Sequence, residues 1–137
     1  MPLTTRLRNA HYSAAADLNR DGKLDLVVAG VGLQVLLGNG DGTFGSPANV
    51  YAKAGPVTIT DVDRDGRLDL VVSGNFETLA VLRGQGDGTF RPAVEFDIGS
   101  TVANIVMKDL NHDKLPEALV SDGASALTVL LNISGAN

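Results

Sequence analysis

The sequence predicts an all-β chain of short antiparallel strands, and composition, turn chemistry and internal repetition each point to it. Of 137 residues, 44% are hydrophobic but only 4% aromatic, and 16 are glycine. That balance suits aliphatic strands cut by tight turns better than long helices or disorder. Asp17-Leu-Asn19-Arg-Asp21-Gly22-Lys-Leu-Asp25-Leu-Val-Val recurs as Asp61-Val-Asp63-Arg-Asp65-Gly66-Arg-Leu-Asp69-Leu-Val-Val. A degenerate third copy reads Asp109-Leu-Asn111-His-Asp113-Lys114-Leu-Pro-Glu117-Ala-Leu-Val. The copies start 44 and 48 positions apart, a period at which one supersecondary unit repeats. A second turn, Gly-Asp-Gly-Thr-Phe, stands at 40–44 and 86–90.

Between these turns lie runs of β type. The first repeat offers 24–29, 33–37 and 48–52; the second offers 57–60, 68–73, 79–82 and 93–98; the third offers 102–108, 117–121 and 127–131. Nowhere is helical spacing of apolar residues sustained over a helix length, so helical repeats are disfavoured. Four short antiparallel strands per repeat describe a β-propeller blade. The chain reads as a single segment, 1–137, with repeats at about 8–52, 53–98 and 99–133. Pro2 precedes Asp17 much as Pro47 precedes Asp61, so residues 2–7 align with the outer fourth strand of a blade. The third repeat stops where its Gly-Asp-Gly-Thr-Phe turn would begin. A ring of three blades is too tightly curved, since propellers carry four to eight. The expectation is a homodimer closed into a six-bladed propeller, strand 2–7 completing a blade of the partner chain, with a nine-bladed trimer second.

Ten of the sixteen acidic side chains fall inside the three Asp-rich loops. Oxygen donors at loop positions 1, 3 and 5, a backbone carbonyl at 7 and a carboxylate at 9 form a cage of hard oxygens suited to Ca²⁺. Gly22 and Gly66 at position 6 permit the positive φ that wraps the loop. An EF-hand needs a bidentate Glu at position 12 between helices, whereas Val28, Val72 and Val120 stand there inside β runs. Like charges this close repel unless neutralised, and three Ca²⁺ would bring the formal charge from −5 to +1. Lys114 in place of glycine, and Glu117 behind Pro116, make the third loop the weaker of the three sites.

At these residues the chain resembles the FG-GAP/VCBS repeats of integrin α-subunit propellers, fungal propeller lectins and many secreted bacterial proteins, over about residues 2–131. The resemblance implies that each calcium loop joins the innermost strand of a blade to the next. Carried over by position, the side-chain ligands are Asp17, Asn19, Asp21 and Asp25; Asp61, Asp63, Asp65 and Asp69; and Asp109, Asn111, Asp113 and Glu117. Lys23, Arg67 and Leu115 would each supply a carbonyl, and Phe44 and Phe90 match the aromatic that packs between blades. The opposite face, where such propellers bind ligands, would display Asn9, His11, Tyr12, Asn75, Phe76, Glu77, Asp122 and Ser125.

These features favour a non-enzymatic, calcium-binding scaffold for adhesion or interaction, with a propeller lectin as the alternative and a polysaccharide-active enzyme less favoured. No Ser/His/Asp or Cys/His arrangement is visible. The acidic balance, with a pI near 4.8, argues against nucleic acid, whose backbone needs clustered Lys and Arg. No apolar run reaches the roughly 18 residues of a membrane span. The family's habit places the chain outside the cell, a secretion signal having been removed. Absence of cysteine leaves the redox compartment open.

Overall fold

The computed structural model describes residues 7, 9–74, 77–124 and 126–132. Its strands are β1 Tyr12–Ala16, β2 Asp25–Gly30, β3 Gly32–Leu36, β4 Ala48–Tyr51, β5 Val57–Thr60, β6 Asp69–Ser73, β7 Thr78–Leu82, β8 Val94–Asp97, β9 Asn104–Lys108, β10 Glu117–Ser121 and β11 Leu127–Leu130. They form three antiparallel sheets in meander order, β1-β2-β3-β4, β5-β6-β7-β8 and β9-β10-β11. Among the described residues there is no helix, and so none long and apolar enough to cross a membrane.

Strands β2 to β11 fall on the runs expected from sequence, with ends that differ by at most two residues. β1 was not among those runs. Tyr12, expected in a loop, opens this strand and pairs with Ala29, because the β1 backbone completes a ladder with β2 whatever its side chains prefer. The third sheet has three strands among the described residues, and the strand expected at 2–7 lies, Leu7 apart, outside them.

Side-chain alternation turns each middle strand into a two-sided wall. In β6 every residue is buried. Leu70 and Val72 pack with Ala80 and Leu82 against Leu18, Val27, Ala29, Leu33 and Val35 of the first sheet. Val71 points the other way and packs with Val62 and Leu79 against Val102, Ile105, Ala118 and Val120 of the third. The cores therefore lie between sheets, and first strands neighbour one another, β1 beside β5 and β5 beside β9. This is the arrangement of propeller blades around an axis. Phe90 packs against the first of these cores, as the resemblance implied.

Candidate metal centre

Each Asp-rich loop joins the first strand of a sheet to its second, β1 to β2, β5 to β6 and β9 to β10. The Gly-Asp-Gly-Thr-Phe turns that join third strands to fourth lie on the same face. There the Lys23 stem rests on Gly40 and the Arg20 guanidinium lies near Gly86. In each of those turns Asp41 or Asp87 accepts from the amide and hydroxyl of Thr43 or Thr89. The threonine hydroxyl first, then its amide, holds each carboxyl below the usual range.

The three loops share one internal wiring. Position 1 accepts from the amide at position 6: Gly22 to Asp17 at 2.8 Å, Gly66 to Asp61 at 2.8 Å and Lys114 to Asp109 at 2.9 Å. Position 5 accepts from position 7: Lys23 to Asp21, Arg67 to Asp65 and Leu115 to Asp113, all within 2.9 Å. These bonds curl the backbone so that positions 1, 3 and 5 face inward. Position 6 is left-handed in all three, at φ 80° for Gly22, 82° for Gly66 and 73° for Lys114. Position 4 is left-handed as well, at φ 61° for Arg20, 62° for Arg64 and 63° for His112. The sequence gives no sign of this second reversal, because Arg and His are ordinary loop residues.

The carboxylates at position 9 are fully buried and anchor the loop to the sheet. Asp25 accepts from Leu18 and Gly38, and Asp69 from Val62 and Gly84, each oxygen taking one amide at 2.7–2.9 Å. Gly38 and Gly84 have to be glycine, because a Cβ there would lie 1.9 Å from the carbonyl of Leu24 or Leu68. Sequence reading passed over both, although they recur in register just before the Gly-Asp-Gly-Thr-Phe turns. In the third repeat Asn132 takes that place, its side chain bonding the carbonyls of Val62 and Pro116. Glu117 then accepts from Leu110 through Oε2 at 2.7 Å, and its Oε1 is left without a partner.

Which expected ligands converge differs from loop to loop. In the second, Asp61, Asp63 and Asp65 bring carboxylate oxygens within 4.8 Å of one another, and Asp69 stands outside the group on its amides. Burial pushes Asp63 and Asp69 up from their ordinary values. Arg83 pairs with Asp63 at 2.7 Å, an internal counter-charge that sequence reading did not find. The first and third loops put an amide at position 3, Asn19 and Asn111. Three buried oxygens lack any hydrogen-bond partner among the described residues: Asn19 Oδ1, Asp109 Oδ1 and Glu117 Oε1. All three belong to expected ligands. A buried acceptor with no donor costs about 1–3 kcal/mol, and a hard cation supplies what it lacks.

Of the residues expected on the opposite face, Asn75, Phe76 and Ser125 lie outside the described ones. His11 donates its amide to Ala29, Glu77 accepts from Ile98, and Asp122 closes a turn by accepting from Ala124 and Ala126. A groove of about 500 Å³ opens instead between the second and third sheets, lined by Arg83, Val94, Phe96, Met107, Leu130 and Asn132 among others.

Comparison with known proteins agrees with this architecture. The FG-GAP-like repeat pattern matches residues 17–72 and again 61–120. No curated protein matches the chain. Among solved structures, an Agrocybe aegerita lectin described as specifically recognising non-reducing terminal N-acetylglucosamine is similar at 28% identity and a TM-score of 0.58. The match covers 90% of this chain and 39% of the lectin chain, so this chain spans about two fifths of that protein.

Proposed function

The chain belongs to the FG-GAP-like repeat family, and from that premise we propose that it is a non-enzymatic, extracellular binding scaffold braced by Ca²⁺ and completed to six blades by a second copy. The observation that carries the calcium reading is the set of orphaned buried oxygens on Asn19, Asp109 and Glu117. Asp17, Asn19, Asp21 and Asp25 would hold the first ion, with Asp61, Asp63, Asp65 and Asp69 holding the second. Asp109, Asn111, Asp113 and Glu117 would hold a weaker third, and Lys23, Arg67 and Leu115 would lend carbonyls. A bound ion supplies positive charge where carboxylates crowd. The loops then pin first and second strands of every blade and leave the opposite face free for an adhesive or protein partner.

The test is thermal unfolding in millimolar Ca²⁺ and in EDTA. An ion that binds only the folded loops adds ~2.7 kcal/mol at a hundredfold excess over Kd, so the midpoint rises by several degrees. Equal midpoints would sink the calcium reading.

The similarity to the Agrocybe aegerita lectin favours a second reading, in which the scaffold binds carbohydrate between blades. A glycan array that includes terminal N-acetylglucosamine, read with and without Ca²⁺, separates the two. Selective glycan retention selects the lectin.

A further inference from the structure

The first two Asp-rich loops are wired to each other. Positions 1, 3 and 5 of each loop turn inward, so the residue at position 4 is thrown outward on its own left-handed backbone. In the first loop that residue is Arg20. Its guanidinium crosses the seam between the first and second blades and donates to the carbonyl of Gly66, position 6 of the second loop. On the way it passes the second blade's Gly-Asp-Gly-Thr-Phe turn, where a Cβ at Gly86 would stand 3.6 Å from the guanidinium carbon. The same turn meets the first blade again at Gly88. A Cβ there would lie 2.9 Å from Leu37 Cδ2 and 3.8 Å from the Asn19 Cβ.

The Arg20 bond runs on into the second cage. The carbonyl that it reaches belongs to the peptide between Gly66 and Arg67, and the N–H of that same peptide donates to Asp65 Oδ1 at 2.8 Å. Asp65 is one of the three carboxylates that converge in this loop. The Gly66 amide is held in turn by Asp61 Oδ2 at 2.8 Å. Consecutive hydrogen bonds through one peptide polarise each other, so guanidinium, peptide and carboxylate act as one relay. At the other end Arg20 stands in the chain between Asn19 and Asp21, two expected ligands of the first cage, and Asn19 Oδ1 is one of the orphaned oxygens.

The second seam is built differently. Arg64 has the same place and the same left-handed backbone, but among the described residues it donates no such bond to the third loop. There the tie is Asn132, which bonds the carbonyl of Val62 and does not come from the third loop itself.

We propose that Arg20 couples the first and second loops, so that Ca²⁺ in either raises the affinity of the other, and that the third loop stands outside this coupling. This rests on the calcium reading above and assigns the regulation of those sites. Its physical basis is shared closure. The bond to Gly66 requires the first loop to be curled, which aims Arg20, and the second to be curled, which presents the carbonyl. An ion that orders one loop therefore lowers the cost of ordering the other, and linkage makes the effect equal in both directions. One such hydrogen bond at an exposed site corresponds to a coupling of about three- to tenfold in Kd.

Heteronuclear NMR of the isotopically labelled full chain, titrated with calcium chloride, reads the loops separately. The amides of Gly22, Gly66 and Lys114 each donate to position 1 of their own loop, so their shifts report the first, second and third sites. Asp61→Ala, which disables the second loop, raises the midpoint at Gly22 by the coupling factor, and Asp17→Ala raises that at Gly66 equally. Arg20→Met keeps the stem and removes the guanidinium. In that background each disabling change leaves the other loop's midpoint where it was. Arg20 is exposed, so the variant folds, and its midpoint at Lys114 matches the wild type's. A Lys114 midpoint that moves with the others would indicate a general loss of stability and overturn the assignment to Arg20, as would coupling that survives Arg20→Met. Independent midpoints at Gly22 and Gly66 without the Arg20 change overturn the coupling and leave the calcium reading standing. Amides that do not move in millimolar Ca²⁺ sink both.

Discussion

Arg83 stands immediately before the glycine that braces the second loop, where the first and third repeats carry Leu37 and Leu131. Its ion pair with Asp63 neutralises in advance a carboxylate that the metal would use. A partly exposed pair contributes up to about 1 kcal/mol, so Arg83→Leu should tighten calcium at the second loop by up to roughly fivefold. Calorimetry that finds unchanged or weaker affinity would show that Arg83 is no competitor. Lys114 holds φ 73° where the other loops have glycine, and a non-glycine residue there costs roughly 1–2 kcal/mol. Lys114→Gly is expected to raise stability by about 1 kcal/mol after the entropy of glycine is set against it, measured by urea denaturation. The position-1, 3, 5 and 9 oxygens and the glycines at position 6 were legible because they are local and repeated. The Arg83 contact was not, since it joins residues 20 positions apart through the fold. The left-handed Arg20, Arg64 and His112 escaped for a different reason: their residue types carry no turn signature.

Among the elements, β1 shows where strand reading fails. Tyr12-Ser-Ala-Ala-Ala16 has one aromatic, no β-branched residue and three alanines, and it is held by its ladder to β2 rather than by propensity. Gly38 and Gly84 fix the exit of β3 and β7 by contact rather than by φ. Gly84→Ala should therefore cost about 2–4 kcal/mol, since it drives a Cβ into the Leu68 carbonyl and dislodges an amide from Asp69. A loss under half a kcal/mol in chemical denaturation would show that the backbone yields instead. At the outer strands Glu95 of β8 accepts from Lys53 at 2.7 Å and from the Tyr51 hydroxyl of β4, tying the first two blades together. Those two bonds, Lys53 first, hold the Glu95 carboxyl below its ordinary value of 4.5. A depressed carboxyl contributes stability above its unfolded pKa and loses it as pH falls through the folded one. Glu95→Gln should accordingly lower the melting midpoint slightly at pH 7 and flatten its decline below about pH 4.5. An acid limb identical to the wild type's would show that the tie contributes nothing.

Across the whole molecule, stability is shared between neighbours, as in other repeat proteins. The second blade holds a core on each face, while the outer strands β4 and β8 lie at sheet edges. Native-state hydrogen exchange should find the amides of β6 slowest and those of β4 and β8 among the fastest. Uniform exchange would mean that the blades open together. Because β6 faces two cores with alternate side chains, a register shift of one residue would exchange both sets at once, sending Val71 toward the first blade and Leu70 toward the third. The consequence is genetic. Insertion or loss of one codon within β6 scrambles two seams, whereas the same lesion in an outer strand is absorbed locally. β4 already carries such a scar, an extra residue between Asn49 and Tyr51 taken up as a bulge opposite Leu33 and Gln34. Length variation among descendants of this chain should therefore collect in turns and rim strands, and spare β6.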